Sequence, residues 1–307
     1  MMRSILGGLL LALTVSSGAT AQGATPQVCA GNPVAVQILG SGGPAFNAQR
    51  ASASYLLWVG PQAKVLFDIG GGAHLRFSQA GAKLADLAMV GISHLHPDHT
   101  SDLPALMWAS NRVRSAPLPI VGPSGNNLAP DFKTFLARLF DEKIGAFQVL
   151  GSTLGAEQPG VERPRIESTV VDTSKTEPTK VFDRDGITVT AQRIPHGNLP
   201  TLAYRVQTRD KSVVFSSDQN GSDPKFVDFA KGADVLVMHM AIAANAPPSP
   251  LHAAPAVVGR VAQEAQAKRL ILSHIGQFDL DAAVADVKKS FTGALTVGAD
   301  LQCTLVP

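Results

Sequence analysis

Apolar positions fall in short runs broken by Gly, Pro and polar clusters, the pattern of a sheet-rich α/β protein rather than of long helices. In the first half, Val34 to Leu39, Ser54 to Val59, Val65 to Phe67 and Met89 to Ser93 have strand length and are rich in β-branched or aromatic residues. Between the last two, the apolar positions of Ala73 to Leu87 predict a helix. Phe132, Phe135, Leu136 and Leu139 recur at i, i+3, i+4 and i+7, which predicts an amphipathic helix over Asp131 to Asp141. The stretch from Gly151 to Thr179, with Pro159, Pro164 and Pro178, lacks periodicity and predicts a loop-rich crossing between two halves. Strand-like runs return at Ile187 to Ile194, Leu202 to Val206, Ser212 to Phe215 and Val235 to Met238. A helix over Pro255 to Ala267, with Pro255 in its first turn, and a strand over Leu270 to Leu272 follow. Alternating strands and helices in both halves predict one domain with sheets inside and helices outside.

The N-terminus departs from this pattern. Arg3, the apolar run Ile5 to Val15 and the small residues Ala19-Thr20-Ala21 read as a secretory leader. The run is too short to span a bilayer of roughly 30 Å. The expected organisation is a signal peptide over 1–21 and one domain over 22–307, periplasmic or secreted, with no membrane attachment after processing. Of the 307 residues 16% are charged and the net charge is +2, so charge alone implies neither nucleic-acid nor membrane binding. Cys29 and Cys303 are the only cysteines. They can form one disulfide tying the termini together, with two buried thiols as the alternative, and their spacing argues against a zinc knuckle or redox pair.

The chemistry concentrates in Ile92-Ser93-His94-Leu95-His96-Pro97-Asp98-His99, four candidate ligands within six residues at the end of an apolar strand. Neutral imidazole and carboxylate are ligand types that zinc, manganese and iron accept, and burying so many polar groups without a metal is costly. Residues i and i+2 of an extended chain share a face, so His94 and His96 can address one ion, while Asp98 and His99, past the turn at Pro97, can face a second.

This segment resembles the His-x-His-x-Asp-His hallmark of the metallo-β-lactamase superfamily. The resemblance implies an αββα sandwich, two mixed β-sheets flanked by helices. It also implies further ligands at His196, Asp218 and His274, each after a strand-like run. In that pattern His94, His96 and His196 hold one divalent ion, Asp98, His99 and His274 hold the other, and Asp218 bridges. Zinc is the expected metal, with manganese or iron as alternatives. Asp68, in Leu66-Phe67-Asp68-Ile69-Gly70, matches a strand-end Asp that supports the ligand loop by hydrogen bonds.

Leu39-Gly40-Ser41-Gly42-Gly43-Pro44, the strand after it, Leu202-Ala203-Tyr204-Arg205 and His252 in Leu251-His252-Ala253-Ala254 are similar to the ribonuclease Z and arylsulfatase branch. There a His in the place of His252 contacts the scissile group and protonates the leaving group. The branch's His-Glu-Ala-Thr is His239-Met240-Ala241-Ile242 here, without the Glu that orients that His, and no long basic arm for tRNA is evident. His239 reads as a strand residue near the site, His74 as a surface residue, and Trp108 as either a substrate wall or core packing.

The expectation is a secreted dinuclear hydrolase of phosphodiester or sulfate esters. A metal-bound hydroxide is its nucleophile, with Asp98 and His252 as catalytic groups. A small-molecule ester substrate, no nucleic-acid partner and a homodimer of the kind common in the branch complete it. A carboxyl-ester, lactone or β-lactam hydrolase of the same fold and a non-catalytic metal-binding homologue are the alternatives.

Overall fold

The computed structural model describes residues 29–307, so the leader expected over 1–21 lies outside the described residues. Among these residues the chain forms two seven-stranded mixed sheets. The first contains β1 (Asn32–Gly40), β2 (Ser54–Gly60), β3 (Gln62–Phe67), β4 (Met89–Gly91), β5 (Leu118–Pro123) and β6 (Ile166–Val171) in sequential spatial order. The second runs from β7 (Thr179–Arg184) through β8 (Ile187–Arg193), β9 (Leu202–Thr208), β10 (Lys211–Phe215), β11 (Val235–His239) and β12 (Arg269–Ser273) to β13 (Ala294–Val297). The last strand, β14 (Cys303–Leu305), returns to the first sheet and pairs antiparallel with β1.

The period of two along each strand builds the layers. Val34, Val36 and Ile38 of β1 face Val213, Phe215, Val235 and Val237 of the other sheet in a common core. The alternate residues Ala35 and Leu39 pack instead under α1 (Ala73–Gln79), α3 (Leu103–Ala109) and α4 (Phe132–Phe140). Leu236, Met238, Leu270 and Leu272 turn outward to α5 (Pro224–Ala230), α6 (Pro255–Glu264) and α7 (Leu280–Lys288). Three apolar interfaces thus separate four layers, and strands buried on both faces read as continuous apolar runs. This is the αββα sandwich expected from the sequence.

Two expectations are corrected. The helix predicted over Ala73 to Leu87 stops at Gln79, because Gly81 takes a left-handed φ of 70° and only a 3₁₀ turn, Leu84–Asp86, follows. The crossing predicted as loop-rich contains β6, which pairs parallel with β5 from Leu118↔Ile166 to Pro123↔Val171. It is an edge strand with half of its residues exposed and only Val171 buried, and therefore lacks the apolar alternation of a strand packed on a core. Cys29 and Cys303 are joined in a disulfide with a Cα–Cα distance of 5.5 Å, fixing the start of the described chain to β14.

Candidate metal centre

The candidate ligands sit beyond the carboxyl ends of strands from both sheets, where parallel α/β sheets leave a crevice. After β4 the chain runs through Ser93 to His94 and His96, and Pro97 starts the short helix α2 (Pro97–Thr100) carrying Asp98 and His99. In the second sheet β8, β10, β11 and β12 all end on the same side, because β9 is antiparallel to both β8 and β10 while β10 to β12 are parallel. His196, Asp218, His239 and His274 are therefore delivered to one edge. Three non-glycine residues at these strand ends, Asp68, Ser217 and His274, have φ of 54°, 52° and 52°. Left-handed backbone is costly for such residues and concentrates where a side chain must be aimed.

Two groups of donors result. His94, His96, His196 and Asp218 form one, and Asp98, His99 and His274 the other. In the first, His94 Nε2 lies 3.0 Å and His196 Nε2 3.5 Å from His96 Nδ1, and Asp218 Oδ2 is 3.9 and 3.7 Å from His94 and His196 Nε2. In the second, His274 Nε2 lies 3.3 Å from His99 Nε2 and 3.2 Å from Asp98 Oδ2, and His99 Nε2 is 3.6 Å from Asp98 Oδ2. Asp218 touches this group too, with Oδ1 3.3 Å from His274 Nε2 and Oδ2 3.6 Å from His99 Nε2. Four ligands around a zinc-type ion at about 2.0–2.1 Å lie roughly 3.3 Å from one another, so the spacing in both groups suits a divalent cation.

The surrounding hydrogen bonds aim the ring nitrogens. Asp68 accepts from Ser93 N at 2.7 Å, from Ser93 Oγ at 2.8 Å and from His99 Nδ1 at 2.7 Å, leaving His99 Nε2 turned inward. Because Ser93 Oγ gives its hydrogen to Asp68, His94 Nδ1 donates to Ser93 Oγ at 3.0 Å, and its Nε2 is free for the cluster. His196 Nδ1 donates to Leu251 O at 2.8 Å with the same effect. Asp68 thus supports the ligand loop through hydrogen bonds. Gly43 packs against His274: a Cβ there would come within 2.5 Å of His274 Cε1.

His239 is the residue to which sequence reasoning assigned no role. It belongs to a third possible donor group with Asp218 and His274, yet both its nitrogens are engaged. Nδ1 donates to Asp218 Oδ1 at 2.6 Å and Nε2 accepts from Tyr55 OH at 2.8 Å, while Ser273 Oγ lies 3.1 Å from that hydroxyl. Its signal was positional: β11 pairs in register with β12 at His239↔Ser273, one residue before His274. The Tyr55 partner could not be read from the sequence, because it lies on the opposite sheet.

Electrostatics divide the histidines. Burial alone would lower His99, but Asp68 and Asp218 outweigh it and hold the ring well above the usual imidazole range. Burial dominates at His239 and pushes it down to about 4. Asp218 is desolvated, which would raise its pKa, but His274 and His99 hold it well below the carboxylate range. His252 stands beside both groups, its ring 5.2 Å from His196 and 5.8 Å from His274, with Nδ1 3.9 Å from Asp218 Oδ2. Burial lowers it to about 4, so it is neutral at pH 7.

His74 lies outside the donor groups at the start of α1, where its backbone N donates to Asp102 Oδ2. Trp108 is 56% exposed with the Arg163 guanidinium 4.7 Å from its ring centre, so the core-packing alternative is corrected.

A four-layer αββα fold with clustered His and Asp donors at the strand ends defines a class of metal-dependent hydrolases. The chain belongs to the metallo-β-lactamase superfamily: a family model described as "Beta-lactamase superfamily domain" matches residues 64–275. It is similar to ribonuclease Z of Mycobacterium bovis, 31% identical over 208 residues that cover 66% of this chain and 68% of that one. A ribonuclease Z of Mycobacterium sp. (strain KMS) is also 31% identical, over 60% of this chain, which spans 61% of that relative's length. Among solved structures, the metallo-β-lactamase fold protein YhfI from Bacillus subtilis superposes with a TM-score of 0.68 at 23% identity, covering 89% of this chain and 99% of that one. Human tRNase Z, short form, gives 0.68 at 19% identity with the same coverage.

These comparisons overturn two expectations. A small-molecule ester substrate with no nucleic-acid partner gives way, because the relatives matched along the sequence are named ribonucleases. The periplasmic or secreted location falls with it. That location was read from the leader, which lies outside the described residues, and the relatives matched along the sequence are named ribonuclease Z.

Proposed function

We propose that this protein is a divalent-metal-dependent phosphodiesterase that hydrolyses RNA, with one catalytic domain over 22–307. The observation carrying this reading is the convergence of seven donors into two groups that share Asp218. The ribonuclease Z relatives favour a phosphodiester over a sulfate ester.

His94, His96 and His196 would hold one ion, Asp98, His99 and His274 the second, with Asp218, which lies beside both groups, as a shared ligand; the donor set suits zinc and also accepts manganese or iron. Bound divalent ions supply acidification of water and neutralisation of charge on the attacked phosphate. The chain's own groups handle the protons. Burial would raise the Asp98 carboxyl, but its hydrogen bond to His274 and the nearby His99 hold it below the usual carboxylate range; beside the donor groups, its carboxylate would take the proton lost by the attacking water. His252 faces the same space as a neutral imidazole and donates a hydrogen bond to the leaving oxygen. Tyr55 and His239 keep Asp218 from rotating.

The test is cleavage of a labelled RNA and of bis(p-nitrophenyl) phosphate by protein stripped with chelator and reloaded with zinc or manganese, with metal content measured on the same samples. About two ions per chain and metal-restored cleavage of both substrates are expected. RNA left intact by fully loaded protein would refute the assignment.

A further inference from the structure

Resting on the RNA reading above, we infer that the cavity beside His96 and His196 is a nucleobase pocket for one of the two nucleosides flanking the scissile phosphate. The cavity measures about 500 Å³, room enough for one nucleoside, and the two histidines form part of its wall. A base placed there is therefore covalently next to whatever occupies the donor groups.

The rest of the lining differs in character from the donor cluster. Leu95, Leu128, Phe135, Leu199 and Leu251 make it apolar, and no carboxylate is among its lining residues. Leu128 and Leu251 remain 60% and 39% exposed, an unpartnered apolar rim next to a polar centre. Phe135 offers the one aromatic side chain of the lining apart from the histidines, held from behind by Phe132 at 6.2 Å and 26°. Two polar groups complete the lining. Arg138 lies one helical turn after Phe135 on the exposed side of α4, and Asn198 belongs to the loop after His196. An aromatic face with a guanidinium beside it is the combination that binds single-stranded nucleic acid: the base stacks and the cation meets the next phosphate.

The rim is braced before any ligand arrives. Asn126 Nδ2 donates to Asn198 O at 2.7 Å, Gly197 N to Pro250 O at 2.9 Å, and His196 Nδ1 to Leu251 O at 2.8 Å. Three loops are thereby tied together around the opening, and the bond that orients His196 comes from the carbonyl of a pocket residue. The pocket wall and the bond that orients His196 thus share Leu251.

The experiment is a double-mutant cycle on the metal-loaded protein. Short single-stranded RNAs, intact or with one abasic position on either side of the cleaved bond, are tested with wild type, Phe135→Leu and Arg138→Gln. Phe135→Leu keeps an apolar side chain against Phe132 and removes the ring face, while Arg138 is exposed, so melting temperature and metal content should stay at wild-type values. The expected result is a KM raised about tenfold for wild type on one of the two abasic RNAs, and for Phe135→Leu on the intact RNA, without the two effects multiplying. For Arg138→Gln, the slope of log affinity against log salt should fall by about one. Cleavage of intact RNA by Phe135→Leu at wild-type KM, or effects of base removal and Phe135→Leu that multiply, would overturn the pocket while leaving RNA hydrolysis standing. Turnover of bis(p-nitrophenyl) phosphate with no RNA cleaved by wild type would overturn both.

Discussion

The first half of the chain puts four candidate donors, His94, His96, Asp98 and His99, into one continuous segment, whereas the second half contributes His196, Asp218 and His274 from three separate strand ends. The first set is arranged by local geometry: an extended stretch, a Pro97 turn and one turn of helix fix which side chains point together. The second set depends on strand order, since residues dozens of positions apart meet only because β8, β10 and β12 run parallel in one sheet. The supporting bonds differ in the same way. Asp68 braces the first set from within its own sheet, while Tyr55 reaches across the sandwich to brace Asp218 through His239. The local motif tolerates small shifts of the scaffold, and the dispersed one is sensitive to how the two sheets seat on each other.

The sharpest way to break this comparison is to remove the residue that serves both donor groups. Asp218→Ala should lower kcat by about 10³-fold or more, beyond the ~10²–10³ typical of losing one preorganised electrostatic contact, with the bound metal falling below one per chain. Near-normal activity would show that the two halves do not share a bridging carboxylate. Next in size, His96→Ala and His274→Ala each remove a candidate ligand from one group only. Each should lose about one ion and about 10²-fold in activity. An active His274→Ala with one tightly held ion would mean that only the first group is catalytic.

The braces come third. Asp68→Asn and Tyr55→Phe should each cost about 10–100-fold in metal affinity or activity. If strand order makes the second set the more fragile, Tyr55→Phe should weaken metal binding while keeping the fold, as read by circular dichroism. A smaller effect is expected from Gly43→Ala, whose methyl would press on the His274 ring; overpacking of this kind costs ~1–3 kcal/mol and should appear as a lowered melting temperature.

The last prediction concerns pH in the metal-free protein. His239 protonates near 4 when folded and near the ordinary 6.5 when unfolded, so between those values the unfolded chain binds more protons and stability falls as pH drops from about 6.5 to 4. His99, raised by Asp68 and Asp218, works in the opposite sense: its contribution is fully present below 6.5 and is lost as pH rises through its elevated pKa. His239→Asn should therefore flatten the acid limb of denaturant midpoint against pH, and His99→Asn the alkaline limb. Identical pH profiles for both variants would show that His239 and His99 are not held in opposite charge states.

What could be read from the sequence follows the same division. The runs at Val34 to Leu39, Ser54 to Val59 and Val235 to Met238 became β1, β2 and β11 because strands buried on both faces leave an apolar record in the chain itself. The helix α4 was legible from its spacing and is capped by Asp131, whose side chain accepts from Thr134 N. The edge strand β6 was not legible, since half of its residues are exposed and only Val171 is buried. Among the site residues, the segment from His94 to His99 is a local arrangement that any reader of the chain can recognise, while His196, Asp218 and His274 could be named only through a family pattern.

Tertiary structure alone decided the rest. Donors and braces such as Asp218, His239 and Tyr55 acquire their roles from a hydrogen-bond chain crossing between sheets, and no one-dimensional spacing encodes a contact between Tyr55 and His239. The pocket of Phe135 and Arg138 beside His196 exists because three loops from distant parts of the chain are tied at one rim. Sequence determines the periodicities and the ligand chemistry, because these are properties of neighbouring residues. How the candidate donors converge, which nitrogen faces inward and what stands beside them depend on packing two sheets against each other, and only the folded chain supplies that.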